Sequence, residues 1–415
     1  MSYYLYKLYI YYMSSETNKL INGPINIVRL EGHINGVKKV GYFFMDYHIN
    51  IYQQTKCPSF TSQDIVQFLA TNLNKATFPI DFMFEMQQSW IDSKRQIIHK
   101  DIYIREVLNF FNSQYNSKNG KVRYHFIDIR DYINDTTYLY FNNIKNIVHH
   151  MNQNNNYNVD DVNDLKFYLS NLTQELNYWK DVIFGNFDEI KSKTEKNLKR
   201  LNKDKEIDNT NVKQEIKEVP KFIYKIREKF KNKEIRNNLQ DIFDFIKNSF
   251  DRIQEISSEM IQVLEKNSNA YIQSGVLRYD KFYKSYFWDN PTTTYVAPIK
   301  DITILLDKMD YVILTMFAML TDIYFLRRFL DKDYIQHAII YTGCSHSINY
   351  IQHLMTKYDF NITHVSYSLK TDLEELNKHL KKFTDTNDQR EFEKNLYPPN
   401  LVQCSVFEHF PKNFE

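Results

Sequence analysis

Four apolar runs in this chain each break off into side chains that can move protons or hold a metal. They are Met45-Asp46-Tyr47-His48, Phe84-Glu85, Ile127-Asp128-Ile129-Arg130 and Tyr341-Thr342-Gly343-Cys344-Ser345-His346. Two imidazoles with one or more carboxylates suit a divalent transition metal, which lowers the pKa of bound water and polarises a carbonyl. His48 and His346 are therefore the expected ligands, for manganese, cobalt or zinc. Asp46, Glu85, Asp128, Arg130 and Arg328 are the expected catalytic residues. The chemistry they would suit is hydrolysis.

Each of these residues also has a plainer use. Asp46 and His48 can cap a turn, and His346 can cap or pack at the start of a helix. Glu85 interrupts Phe82-Met83-Phe84-Glu85-Met86, where a lone carboxylate is expensive to bury. Arg130, Arg327 and Arg328 are its candidate partners, because a guanidinium makes directional paired hydrogen bonds. Strand alternation puts Asp128 and Arg130 on one face and His125 on the other. An ion-pair network holding the site together fits these residues as well as catalysis does.

The elements that must position them alternate. Asn35-Gly36 between Ile25–Leu30 and Val40–Phe44 predicts a β-hairpin, since this pair tolerates positive φ angles. A helix over 62–73, a strand over 81–86, a helix over 102–111 and a strand over 122–129 follow. This order favours parallel strands with right-handed crossovers. From about Tyr140 to Tyr271 the sequence turns Asn- and Lys-rich with helical periodicity. Leu239, Ile242, Ile246, Phe250, Ile253, Ile256, Met260 and Leu264 form one apolar stripe there. The polar interval 201–219, closed by Pro220, predicts a loop. Strand and helix alternation returns after Pro298: a helix over 302–330, a strand over 338–341, a helix over 348–357, a strand over 362–367 and a helix over 374–383. Pro398-Pro399 then opens an extended tail.

The expected fold is α/β: a discontinuous, mostly parallel sheet with flanking helices, starting with a β-hairpin and carrying a large helical insertion. Its halves are 1–140 and 272–415, with the insertion at 141–271. The carboxyl ends of strands in such a sheet line one crevice, so the four motifs should meet there.

Composition narrows the function classes. Eight glycines, with neither G-x-G-x-x-G nor G-x-x-x-x-G-K-[ST], argue against dinucleotide and P-loop nucleotide binding. A net charge of +2 implies no nucleic acid by itself. Between Lys191 and Gln240, however, 16 Lys/Arg stand against 8 Asp/Glu. That excess could meet an acidic protein or a nucleic acid, although such a run is more commonly a solvated helix face. Cys57, Cys344 and Cys404 are few and far apart, which predicts free thiols in a reducing compartment. The tyrosine-rich Tyr3–Tyr12 reads as a strand rather than a signal peptide. Asp307, Lys308 and Asp310 interrupt the apolar stretch 302–320, so no membrane span is expected.

Gly343-Cys344-Ser345-His346, after an apolar strand and before a helix, resembles the G-x-x-H motif of the TraB, Tiki and erythromycin-esterase-like superfamily. Met45-Asp46-Tyr47-His48 stands where that family has an earlier G-x-x-H, but without the glycine. Glu85 resembles its strand-end glutamate, and Arg328 or Arg130 its arginine. The resemblance implies hydrolysis of an ester or peptide-like bond, with or without a metal. The Asn, Lys, Ile and Tyr bias resembles that of uncharacterised proteins of mimivirus-like giant DNA viruses, which implies an intracellular setting, host cytoplasm or virion. The competing expectation is a non-catalytic interaction protein on a degenerate hydrolase-like fold, binding a partner through the basic segment.

Overall fold

A computed structural model describes residues 20–53, 55–86, 102–113, 120–130, 135–154, 159–185, 226–282, 296–384 and 388–415. The Tyr3–Tyr12 run, the 201–219 interval and most of the basic segment lie outside these residues. The chain forms two compact units, one of residues 1–128 with 324–415, the other of residues 129–323.

The first unit opens with β1 (Leu20–Asn22) and a long hairpin of β2 (Pro24–Ile34) and β3 (Val37–Asp46). Asn35 and Gly36 take φ of 52° and 77° at its tip. Positive φ at both turn residues matches the twist of the flanking strands, which is why the hairpin closes at this pair. Next come β4 (Gln63–Asp64), α1 (Ile65–Asn74), β5 (Ile80–Phe84), α2 (Tyr103–Ser113) and β6 (Val122–Phe126).

The second unit is helical: α3 (Asp135–Asn154), α4 (Val159–Phe184), α5 (Lys233–Asn238), α6 (Gln240–Phe282) and most of α7 (Val296–Asp331). The apolar stripe from Leu239 to Leu264 is buried as its spacing requires. Phe250 on that stripe meets Phe184 of α4 edge to face, with ring centroids 6.5 Å apart. The stretch Ile299–Asp331 is long and apolar enough to cross a membrane, but 61% of its most apolar window is buried inside the protein, as in a core helix.

From Tyr324 the chain rejoins the first unit. There it forms β7 (His337–Gly343), α8 (Cys344–Tyr358), β8 (Asn361–Val365), α9 (Leu373–Leu380), α10 (Gln389–Leu396) and β9 (Cys404–Val406). Among the described residues the main sheet has the order β6-β5-β7-β3-β2-β8. β6, β5, β7 and β3 run parallel; β2 is antiparallel to both its neighbours, β3 and β8, so β8 runs in the same direction as the other four. The fold is thus α/β with a largely parallel sheet. β7, from the far end of the sequence, slots between β5 and β3, and this insertion brings the two halves together.

β3, β5 and β7 are apolar on both faces because both are covered. On one side Tyr42, Phe44, Phe82, Phe84, Ile339 and Tyr341 pack with α1, α2 and Phe407, Phe410 and Phe414. On the other, Phe43 meets Phe325 of α7, which lies 4.0 Å centroid to centroid from Tyr350 of α8. Each buried ring of this size contributes about 1.5–3 kcal/mol.

Two expectations are corrected here. The residues after Pro398-Pro399 are not an extended tail: β9 pairs with β1, and the three phenylalanines beyond it enter the core, because rings of that size gain more by burial than by exposure. Nor are all three cysteines free. Pairing of β9 with β1 brings Cys404 beside the segment carrying Cys57, and the two form a disulfide across 347 residues of sequence. Only Cys344 is a free thiol.

Candidate functional site

The carboxyl ends of β3, β5 and β7 meet at one place. In the parallel register Asp46 lies beside Gly343, and Phe84 beside Tyr341. Glu85, one residue past β5, donates its backbone N–H to the Tyr341 carbonyl at 3.1 Å. Its side chain turns to the start of α8, where Oε2 accepts the Gly343 N–H at 2.6 Å. Gly343 is the N-cap residue of α8 and has no side chain to cap with, so a carboxylate from a different strand does so.

Both imidazoles close on the same carboxylate. His346 Nε2 lies 3.3 Å from Glu85 Oε1, and His48 Nε2 lies 3.7 Å from Oε2. The second separation is that of an ion pair rather than a hydrogen bond. Asp46 grips the other nitrogen of His48, Nδ1 to Oδ2 at 2.7 Å. Asp46, Glu85 and His346 are buried, while His48 keeps 37% of its side chain exposed and forms the open side of the cluster. Gly343 also makes room: a Cβ there would stand 3.0 Å from His48 Nε2 and 3.3 Å from Glu85 Oε2.

The electrostatics follow from this geometry. Burial pushes the Glu85 carboxyl up, but the His346 and His48 imidazoles outweigh it and hold Glu85 well below the usual range. Burial pulls the His48 ring down, yet the bonds to Asp46 and Glu85 push it up to about 10. Water on its open side screens part of that pull. Asp46 is raised, because burial outweighs the help it gets from His48. Beside it, burial and the Asp46 charge raise the Tyr341 hydroxyl and the Cys344 thiol well above their ordinary values. Cys344 donates its S–H to the Asp46 carbonyl at 2.9 Å and is no nucleophile in this form. Tyr341 Oη and Asp46 Oδ1 are both buried.

The expected metal shell does not fit this arrangement. Among the described residues no three His, Cys, Asp or Glu side chains are placed to hold an ion together.

Of the other expected residues, Arg328 reaches a different carboxylate system. Its Nε donates to His125 Nδ1 at 3.0 Å, and His125 Nε2 meets Asp81 Oδ1 at 2.6 Å. Arginine only donates, so the His125 proton sits on Nε2 and points to Asp81. Arg123 completes this second group with Nε to Asp81 Oδ1 at 2.8 Å and Nη2 to Oδ2 at 2.5 Å. Arg328 is thus neither the Glu85 partner nor next to the imidazole pair, since His125 on the adjacent strand intercepts it. Asp128 is buried two residues past β6, at the edge of the sheet. Arg130 belongs to the second unit. The described partners of Glu85 include two imidazoles and a backbone N–H, and Arg328 is not among them.

The sequence reading passed over Asp81, Arg123 and Tyr341. For the first two a signal was present: Ile80-Asp81-Phe82 hides a carboxylate in an apolar strand, and Arg123 and His125 alternate on the next strand at matching spacing. Tyr341 carries none, because a tyrosine in an apolar run reads as core.

This arrangement defines an α/β protein with a His–carboxylate–His cluster at the carboxyl ends of parallel strands. Residues 19–415 match the model of a family of unknown function (DUF5847), and the chain belongs to that family. It is similar to an uncharacterized protein of Acanthamoeba polyphaga mimivirus, 30% identical across 96% of this chain and 97% of the relative. Two further uncharacterized proteins of that virus are 31% and 28% identical, each over 95% of this chain and 98% and 97% of their own lengths. No solved structure matches the chain at a significant level.

Proposed function

We propose that the protein hydrolyses an ester or peptide-like bond at the Asp46–His48–Glu85–His346 cluster. The observation that carries this reading is the single carboxylate, Glu85, shared by two imidazoles at the open end of the sheet. His346, oriented by Glu85, takes a proton from the attacking water. His48, kept charged by Asp46 and Glu85, stabilises the developing oxyanion and supplies a proton to the leaving group. Glu85 positions both rings and is itself a weak base, because its carboxyl is held low. No step requires a metal. The resemblance of Gly343-Cys344-Ser345-His346 and Glu85 to the TraB, Tiki and erythromycin-esterase-like motifs supports hydrolysis, and the giant-virus relatives support host cytoplasm or virion as the setting. Partner binding through the basic segment has no observation behind it, because most of that segment lies outside the described residues.

The test is turnover of a panel of nitrophenyl esters and fluorogenic peptides by the purified full chain. The wild type should hydrolyse at least one class, unaffected by chelator, and His346→Ala should lose about 10²- to 10⁴-fold, the usual worth of a positioned acid–base group. Wild-type inactivity on every member, or undiminished turnover by the variant, overturns the proposal. Dependence on added manganese, cobalt or zinc would restore the metal shell and overturn the metal-free form.

A further inference from the structure

His48 sits on a long connection that is poorly held. Among the described residues between Asp46 and Ile65, only Cys57 is buried, and Tyr52 and Phe60 are almost wholly exposed. A connection with so little burial opens easily. Its ties are few and gather around one point. Cys57 is joined to Cys404, with Cα atoms 4.9 Å apart. Its N–H donates to Asn22 Oδ1 at 2.7 Å, and the Thr55 N–H donates to Gln403 Oε1 at 3.1 Å. Asn22, Gln403 and Cys404 belong to, or adjoin, the β1–β9 pair, where Asn22 lies directly opposite Cys404. The disulfide therefore fastens the middle of the His48 connection to the fold, while Asp46 fastens its near end and the β1–β4 pairing its far end.

The other side of the staple leads back to the same site. Beyond Cys404 the chain inserts Phe407, whose ring lies 4.8 Å from Phe68 and stacks 6.4 Å from Phe44. Phe44 in turn stacks on Tyr341, the ring beside Asp46. One covalent bond thus ties the loop above the cluster to the aromatic layer below it.

We infer that the Cys57–Cys404 disulfide positions His48 and makes the candidate site sensitive to thiol reductants. This deepens the hydrolase reading, but its test needs no activity. A dithiol breaks the S–S bond: its two hydrogens and two electrons pass to the Cys57 and Cys404 sulfurs, leaving two thiols, and the dithiol becomes its own cyclic disulfide. The loop then loses its one covalent anchor, and the connection carrying His48 is left to the hydrogen bonds of Thr55 and Cys57, the β1–β4 pairing and the contacts of His48 with Asp46 and Glu85.

The experiment uses the full chain with labelled histidine rings, His48 and His125 being assigned by single substitutions, before and after dithiothreitol. On reduction the His48 signals should shift and broaden, trypsin should cut after exposed Lys56 at least tenfold faster, and the His125 signals should stay in place. The double variant Cys57→Ser/Cys404→Ser should show the reduced behaviour without reductant and ignore it when added. If that variant does not fold, the reduced wild type carries the test. The inference is overturned if His48 and Lys56 are indifferent to reduction. It is also overturned if His125 moves as well, since the bond would then hold the whole unit, or if non-reducing peptide mapping finds no Cys57–Cys404 link. Failure of hydrolysis would leave these signals unchanged, so the two readings fall separately.

Discussion

Asp81 and Glu85 are carboxylates four residues apart at the two ends of one strand, and the fold treats them differently. Burial raises both, and both end below their ordinary values because charged partners outweigh it. Asp81 takes its partners, Arg123 and His125, from the neighbouring strand two residues apart, and Arg328 backs the imidazole from behind. Its charge is answered by an arginine that never loses its own. Glu85 draws partners from three separate elements, and two of them are imidazoles, which unlike a guanidinium can give up a proton. One group is answered by a fixed charge; the other is answered by side chains that can exchange protons. Both have one solvent-facing member, Arg123 at 38% and His48 at 37% exposure, so what distinguishes the site is the titratable character of the partners.

The sharpest way to break this contrast is to neutralise each carboxylate in turn. Glu85→Gln should lower turnover on any substrate found by about 10²- to 10⁴-fold, while Asp81→Asn leaves turnover per folded molecule within about threefold. Equal losses from both would mean that both groups are structural. Stability should rank them the other way. Asp81→Ala strands His125 and Arg123 in the sheet and should cost about 3 kcal/mol, the low end for breaking a buried pair, since Arg123 is 38% exposed and water takes up its charge. Urea unfolding followed by circular dichroism measures this, and a loss under about 1 kcal/mol would remove the structural assignment.

A smaller perturbation tests how the space at the site is used. Gly343→Ala places a methyl 3.0 Å from His48 Nε2. His48 is the mobile, solvent-facing member, so it should give way, with an overpacking cost near the lower end of about 1–3 kcal/mol. Turnover should nevertheless fall at least tenfold, because the displaced ring no longer faces the reacting bond. A variant with full activity would show that the Gly343 approach serves only the cap on α8.

Much of this arrangement was legible in the residues. Asn35-Gly36 marked the hairpin, the apolar runs marked β3, β5, β6 and β7, and each run ended in the group later found at the strand end. Asp46, His48, Glu85 and His346 could be read because a polar side chain breaking a buried run must be answered. Who answers could not be read, since that depends on which strands are neighbours, and β7 lies between β5 and β3 only in space. For the same reason Arg328 was offered to Glu85 when His125 stood in between. The disulfide was hidden likewise: 347 residues separate its cysteines, and only pairing of a three-residue strand, β9, with β1 brings them together.

The smallest effect lies in the pH dependence of stability, and its sign separates the two groups once more. His48 is raised to about 10 in the folded protein from an ordinary 6.5. Its charged form is therefore favoured by folding, and the stability it adds is fully present below about pH 6.5 and lost as pH rises through about 10. Glu85 is lowered from an ordinary 4.5, so its contribution is present above that pH and lost as pH falls through its folded value. Asp46 is raised and runs the opposite way, which blunts the acid limb. The cluster should stabilise most between about pH 4.5 and 6.5 and weaken through the alkaline range. Because His48 is more than a third exposed, salt should flatten that alkaline limb. Urea midpoints of the wild type and His48→Asn, taken from pH 5 to 10 at two salt concentrations, should converge as pH rises and differ most at the acid end. Parallel curves would mean that His48 carries no extra proton in the folded state, and that it is free to act as a base rather than as the acid assigned to it.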